Sequence, residues 1–315
     1  MESASPDNFQ TVRCSSAEEL LRLVAPICSL DTGTPSPRFI FRGQGDANQQ
    51  LIPKALRRHS QDGRTIALRL LDRFALKGAA DDQVWAEIHL LKMFLDACDQ
   101  SSIAVPGDDY ETRSTWLDDQ VGPLQGAYLT PSKWPFPAHL PMLAFAQHHG
   151  VPTRLLDWTR SGSVAAYFAA ADAVYTESSG ELVVWALNIE LIHLYPRLQV
   201  VLMPGANSPR LGAQKGLFTL VRPDSRRSGP IGEIALPDAL TGPNADIRHP
   251  KPLWKLVLSA TEARRLLYLC HLQGIDAGSI HLGAEGAARA VTERASWSRV
   301  DPETGRSAAT ERPPR

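Results

Sequence analysis

Four short stretches hold most of the residues whose types could do chemistry. The first is Phe41-Arg42-Gly43-Gln44, an arginine at the end of a β-type run followed by glycine, which sets a planar cation at the rim of a sheet. A guanidinium offers paired donors in a rigid fork and so suits a diphosphate. The alternative partner is an internal carboxylate such as Asp157. The second stretch runs from Gln147 to Thr159 and sets His149, Thr153, Arg154 and Asp157 among apolar Leu155, Leu156 and Trp158. Polar groups so enclosed need partners, which suggests a buried hydrogen-bonded network. Neighbouring His148 and His149 point to different faces, and no further His, Asp or Glu stands at the usual helical ligand spacing. No metal site is expected.

The third stretch is Thr159-Arg160-Ser161, running into Val164–Ala169. Its hydroxyls either cap the following helix or serve a site. The fourth, Gln214-Lys215-Gly216-Leu217-Phe218, carries a polar residue into a strand. Glu87, on the clearest helix, reads as packing or a surface pair. No Ser-His-Asp order, nucleophile elbow, Walker loop, HExxH or GxGxxG occurs, which weakens hydrolase, kinase and dehydrogenase readings. Four separated stretches this polar are expected to converge: Arg42, His149, Thr153, Asp157, Thr159 and Gln214 on one concave pocket, with Asp157 accepting from Arg42 or Arg154.

The elements that must position these residues follow from periodicity. Helices are predicted at 16–25, 66–76, 81–97, 140–148, 161–175 and 261–273; over 81–97, Val84, Ile88, Leu91 and Leu95 share one face. Strands are predicted at 38–42, 182–187, 198–203, 217–221 and 253–258, between Gly/Pro turns. One strand, many helices, then strands and a last helix fits α+β better than regular alternation. The expected architecture is a mainly β core with a large helical insertion at about 55–148.

The chain has 315 residues with Lys+Arg 33 against Asp+Glu 34, a net charge of -1. Bulk charge therefore gives no drive toward nucleic acid or anionic lipid. No apolar run is long enough to span a bilayer, and Met1–Gln10 carries no apolar segment of the secretory kind. Cys14, Cys28, Cys98 and Cys270 are scattered without CxxC spacing, as expected of reduced thiols in a cytoplasmic protein.

Taken together, Phe39-Ile40-Phe41-Arg42-Gly43-Gln44, Leu51-Ile52-Pro53 with Arg57, Glu87 with Phe94, the long Gln147–Thr159 stretch, Ala166–Ala169 and Gln214–Phe218 resemble the FRG domain family. The resemblance covers 17–291 and leaves 1–16 as an N-terminal extension and 292–315 as a disordered tail. A more distant resemblance is to arginine-specific mono-ADP-ribosyltransferases, which carry Arg-Gly at a strand end, a Ser-Thr-Ser strand before a helix, and a glutamate-bearing strand. That resemblance implies an ADP-ribosyltransferase-like fold with NAD as co-substrate and a protein or nucleic-acid acceptor. It also implies the role of a bacterial toxin or phage-defence effector. On that pattern Arg42 binds the diphosphate, Thr159 supports the nicotinamide ribose, and Gln214 stands where the catalytic glutamate belongs. Trp158 or Tyr167 would offer a face for ring stacking. Glutamine keeps a hydrogen bond and loses the charge. Either the acid has moved, for example to Glu233, or the domain is a non-catalytic nucleotide- or nucleic-acid-binding module.

Overall fold

The computed structural model of the protein describes residues 8–25, 38–74, 76, 78–114, 131–204, 212–223, 235–240 and 251–297. It is a mixed α/β structure built on one seven-stranded sheet. The strands are β1 Phe9–Arg13, β2 Phe39–Gln44, β3 Leu155–Thr159, β4 Glu181–Asn188, β5 Leu198–Val201, β6 Gly216–Val221 and β7 Leu253–Ser259. Their order across the sheet is β1-β7-β4-β2-β3-β6-β5. β1 runs parallel to β7, and every other pair is antiparallel. The helices are α1 Ala17–Val24, α2 Ile66–Leu70, α3 Ala80–Gln100, α4 Tyr110–Ser114 and α5 Leu140–His148. They continue with α6 Gly162–Tyr175, α7 Leu236–Ala239, α8 Ala263–Leu272, α9 Ala277–Ile280 and α10 Ala284–Trp297. None is long and apolar enough to cross a membrane, among the described residues.

Strand alternation explains the layering. Leu182 and Val184 of β4, with Leu256 and Leu258 of β7 and Phe41 of β2, pack under α1, α6 and α8. Val183, Trp185 and Leu187 turn to the opposite face, where Ile40, Leu156, Trp158, Leu217 and Val257 join them. At the far end, Leu155, Phe218, Leu220 and Val201 pack with Val84, Ile88, Leu91 and Leu143 of α3 and α5. The face that carries α6 over β2 therefore carries α3 and α5 over β3, β6 and β5. The border between the two groups falls at β2 and β3.

Phe41-Arg42-Gly43 has a packing logic at that border. A Cβ at Gly43 would lie 1.9 Å from the Ala165 main-chain oxygen and 2.7 Å from the Ala169 nitrogen. Only a residue without a side chain lets α6 settle this closely on β2. α6 itself starts where Ser161 accepts from the Val164 amide, so this hydroxyl is an N-cap.

Two strands were not predicted. β1 is a five-residue edge whose register, Phe9 to Leu253 through Arg13 to Val257, exists only once β7 is beside it. It brings part of the expected N-terminal extension into the sheet. β3 lies in the polar stretch read as a network; it is a strand whose one exposed member is Asp157. At the other end, α10 runs to Trp297, into the stretch read as tail. Glu293 of that helix accepts from the Tyr167 hydroxyl at 2.7 Å and from the Ala277 amide at 3.1 Å, which ties it to α6 and α9. Residues 298–315, Cys28 and Glu233 lie outside the described residues.

Candidate functional site

β2 and β4 stay in register over six residues, from Phe39 opposite Asn188 to Gln44 opposite Val183. β2 and β3 share one pair, Phe41 opposite Thr159. Beyond that pair the two strands separate, and the Arg42 side chain enters the gap. Its Nη1 donates to the Asp157 main-chain oxygen at 2.9 Å and lies 3.7 Å from the Asp157 carboxylate. A guanidinium thus takes over a strand–strand hydrogen bond. The Arg42 side chain is 16% exposed, and its Nε is enclosed with no acceptor. Burial pushes this guanidinium below its ordinary pKa, Asp157 and Asp172 oppose the shift, and Arg57 adds to it.

Asp157 is 61% exposed although Leu155, Leu156, Trp158 and Thr159 around it are buried. Its carboxylate is held from α5, where Gln147 Nε2 donates to Oδ1 at 2.6 Å. The amide of Gln147 is oriented in turn by the Thr153 hydroxyl, which donates to its oxygen. With the oxygen facing a donor, the amide nitrogen is directed at the carboxylate. Thr153 also accepts from the Leu155 amide at 3.2 Å, so this chain of contacts is anchored in the start of β3.

The strand is seated by a buried ion pair. Arg154 Nε and Nη2 reach the two oxygens of Glu87 at 2.5 and 2.8 Å, with both side chains 1% exposed. Trp134 Nε1 donates to Glu87 at 3.0 Å, and Gln83 Nε2 donates to it at 2.8 Å. A fork-to-fork pair with its remaining lone pairs satisfied is the arrangement a buried charge pair requires. Glu87 is therefore a buried anchor of α3 on β3 and makes no surface pair. Arg154, one of the two partners expected for Asp157, belongs to Glu87.

Thr159 and Gln214 meet at the other end of β3. The Thr159 hydroxyl donates to the Gln214 main-chain oxygen at 2.7 Å and accepts from the Ser161 amide at 3.0 Å. Gln214 is half-buried, and the next residue, Lys215, holds φ of 49° just before β6 begins. The contacts thus form two groups, Arg42 with Asp157, Gln147 and Thr153, and Thr159 with the Gln214 main chain. His149 is exposed at the end of α5, with its ring 4.6 Å from Phe145 and 6.3 Å from Phe94, and it is not brought to either group by these contacts.

Two residues expected to offer a stacking face do not reach it. Trp158 points into the core on the opposite side of the sheet, where its Nε1 donates to Thr219 at 2.9 Å. Tyr167 is buried under α10. In both cases strand or helix periodicity turns the ring away from the residue that flagged it. Conversely, Gln147 and Lys54 were not singled out for the site, and Arg57 entered only through the family resemblance. Lys54 donates to the Gly150 oxygen at 3.3 Å, and the Ala55 amide to the Thr153 oxygen at 3.1 Å. Arg57 donates through Nε to the Ile52 oxygen at 2.9 Å, and its charge reaches both Arg42 and Asp157. The signal available in sequence was the basic cluster Lys54, Arg57 and Arg58 after Leu51-Ile52-Pro53. Among the described residues, no group of three His, Cys, Asp or Glu side chains is placed to hold a metal ion.

No curated protein and no solved structure matches the chain. A family model does: residues 37–177, which hold β2, β3 and helices α2 to α6, match the FRG domain, and this match supports the FRG family for that part of the chain.

Proposed function

We propose that the FRG region binds NAD at the separation of β2 and β3 and uses it for ADP-ribosyl transfer to a protein or nucleic-acid acceptor. The observation that carries this reading is a largely buried arginine, Arg42, held where the β2–β3 ladder opens. Arg57 acts on the same guanidinium, and the carboxylates of Asp157 and Asp172 oppose it. Two partly desolvated guanidinium groups favour a diphosphate, because each offers donors in a fixed fork. In the transfer, the bond between ribose C1′ and the nicotinamide nitrogen breaks and its electron pair leaves with nicotinamide. A lone pair of the acceptor then bonds to C1′, and the acceptor's proton passes to solvent. Gln214 beside Thr159 would hydrogen-bond the ribose without supplying charge. The role of a toxin or phage-defence effector belongs to the same reading.

Incubation of the protein with NAD labelled in the adenylate tests it. Label on protein or nucleic acid with nicotinamide release supports transfer. Absence of both at high enzyme concentration refutes it. The neutral side chain of Gln214 favours a second reading, a nucleotide-binding module without turnover, which calorimetry with NAD and no nicotinamide release would support.

A further inference from the structure

Resting on the transfer reading above, we infer that Asp157 is the general base of that transfer, with Gln147 the residue that positions it. As the acceptor's lone pair bonds to ribose C1′ and the nicotinamide leaves with the electron pair of the broken bond, the acceptor must give up a proton. A carboxylate with an open lone pair takes that proton and passes it to solvent, so the step balances. Gln214 carries an amide and cannot take it.

The other acids around the described site are already engaged. Glu87 is buried and holds Arg154, Trp134 and Gln83. Asp172, on α6, accepts from the Gly45 amide at 2.9 Å. Asp157 is different. Gln147 occupies its Oδ1, while Oδ2 lies 3.7 Å from Arg42, beyond hydrogen-bond length, and accepts no hydrogen bond among the described residues. The side chain is 61% exposed, so a substrate can reach it. It also stands beside the guanidinium assigned to the diphosphate, at the point where β2 leaves β3.

An exposed aspartate is ordinarily free to turn, yet this one is held from three elements. Arg42 of β2 binds its main-chain oxygen, and Gln147 of α5 binds its carboxylate at 2.6 Å. The Thr153 hydroxyl fixes the Gln147 amide, and the Leu155 amide at the start of β3 fixes Thr153. Contacts at so exposed a carboxylate contribute little to stability, about 0–1 kcal/mol. Their effect is directional: with Oδ1 tied to α5, the open lone pairs of Oδ2 keep one bearing, as a group that receives a proton in a defined geometry requires.

Steady-state nicotinamide release from NAD by the full chain, with water as the acceptor, tests this. Calorimetry with ADP-ribose follows binding, and thermal unfolding checks the fold. Asp157→Asn is expected to lower kcat by about a hundredfold or more while ADP-ribose still binds. Asp157→Ala should show the same loss and recover part of it in added formate, a small carboxylate that can stand in for the missing one. Gln147→Ala frees the carboxylate without removing it. It should lower kcat by about tenfold with KM unchanged, and formate should not restore it. Wild-type turnover in Asp157→Asn overturns the inference and leaves the transferase standing. A loss in folded Asp157→Ala that formate does not restore also overturns it, because the carboxylate then matters to structure alone. A wild-type chain that releases no nicotinamide removes both.

Discussion

The Arg42 guanidinium sits 2.9 Å from the Asp157 main-chain oxygen, at the point where β2 and β3 cease to pair. One side chain therefore does two things. It closes the open edge of the ladder, and it keeps a desolvated positive charge beside an exposed carboxylate. Arg42 thus carries part of the fold as well as the local charge.

Arg42→Lys should for that reason lose stability as well as nucleotide binding. An ammonium on a different stem cannot reproduce the planar reach to the Asp157 oxygen, and a hydrogen bond from a charged donor contributes about 1.5–3 kcal/mol. Urea unfolding should place the variant lower by that amount. A wild-type midpoint would show that the contact is dispensable.

Gly43→Ala should cost about 3 kcal/mol, because the new methyl falls on the Ala165 oxygen and Ala169 nitrogen of the α6 backbone. Backbone yields less than a side-chain tip. Thermal denaturation and the yield of folded protein give the answer, and a neutral result would mean that α6 shifts freely over β2.

Glu87→Gln leaves Arg154 charged and buried without its partner. Breaking such a pair typically costs about 3–5 kcal/mol, far more than a surface pair. Replacing a surface carboxylate such as Glu285, paired with Arg289 on α10, should change stability by less than about 1 kcal/mol. Equal losses at the two sites would contradict the burial argument.

Gln214→Glu should raise nicotinamide release from NAD by on the order of a hundredfold if the glutamine weakens a transferase, since a charge at the reacting centre is worth that much. Affinity for ADP-ribose should change little. A steady-state assay with both chains decides; unchanged turnover alongside intact binding would favour the non-catalytic module.

His139 makes stability depend on pH. Burial beside Trp134 and Phe136 pushes its imidazole down to about 4 from 6.5. Between those values the unfolded chain takes up a proton that the folded chain does not, so stability falls as pH falls through this window. The loss is ~3 kcal/mol, complete below pH about 4 and absent above 6.5. His139→Phe should flatten that limb relative to wild type in urea titrations from pH 7 to 4, and identical slopes would refute the assignment.

Local periodicity determined a good deal of this protein. The apolar face of 81–97 predicts α3, the span 140–148 is α5 as read, and the Ser161 hydroxyl does open α6. The Phe41-Arg42-Gly43 stretch is a strand, as its β-type residues imply. These features depend on residues a few positions apart, whose interactions the chain carries with it.

What only the tertiary structure decided is which distant residues share a space. β1 and β3 carry no clear strand alternation of their own, and their pairing exists only once β7, β2 and β6 lie beside them. Glu87 and Arg154 are 67 positions apart, and Thr159 and Gln214 are 55 apart. Sequence spacing does not encode such distances, because the sheet order and the helices laid over it set them. The same sheet turned Trp158 inward and left Asp157 exposed on the strand they share, since successive side chains of a strand face opposite sides. Arg57 entered the site for a similar reason: hydrogen bonds between segments nearly a hundred residues apart, Ala55 to Thr153 and Lys54 to Gly150, carry it there.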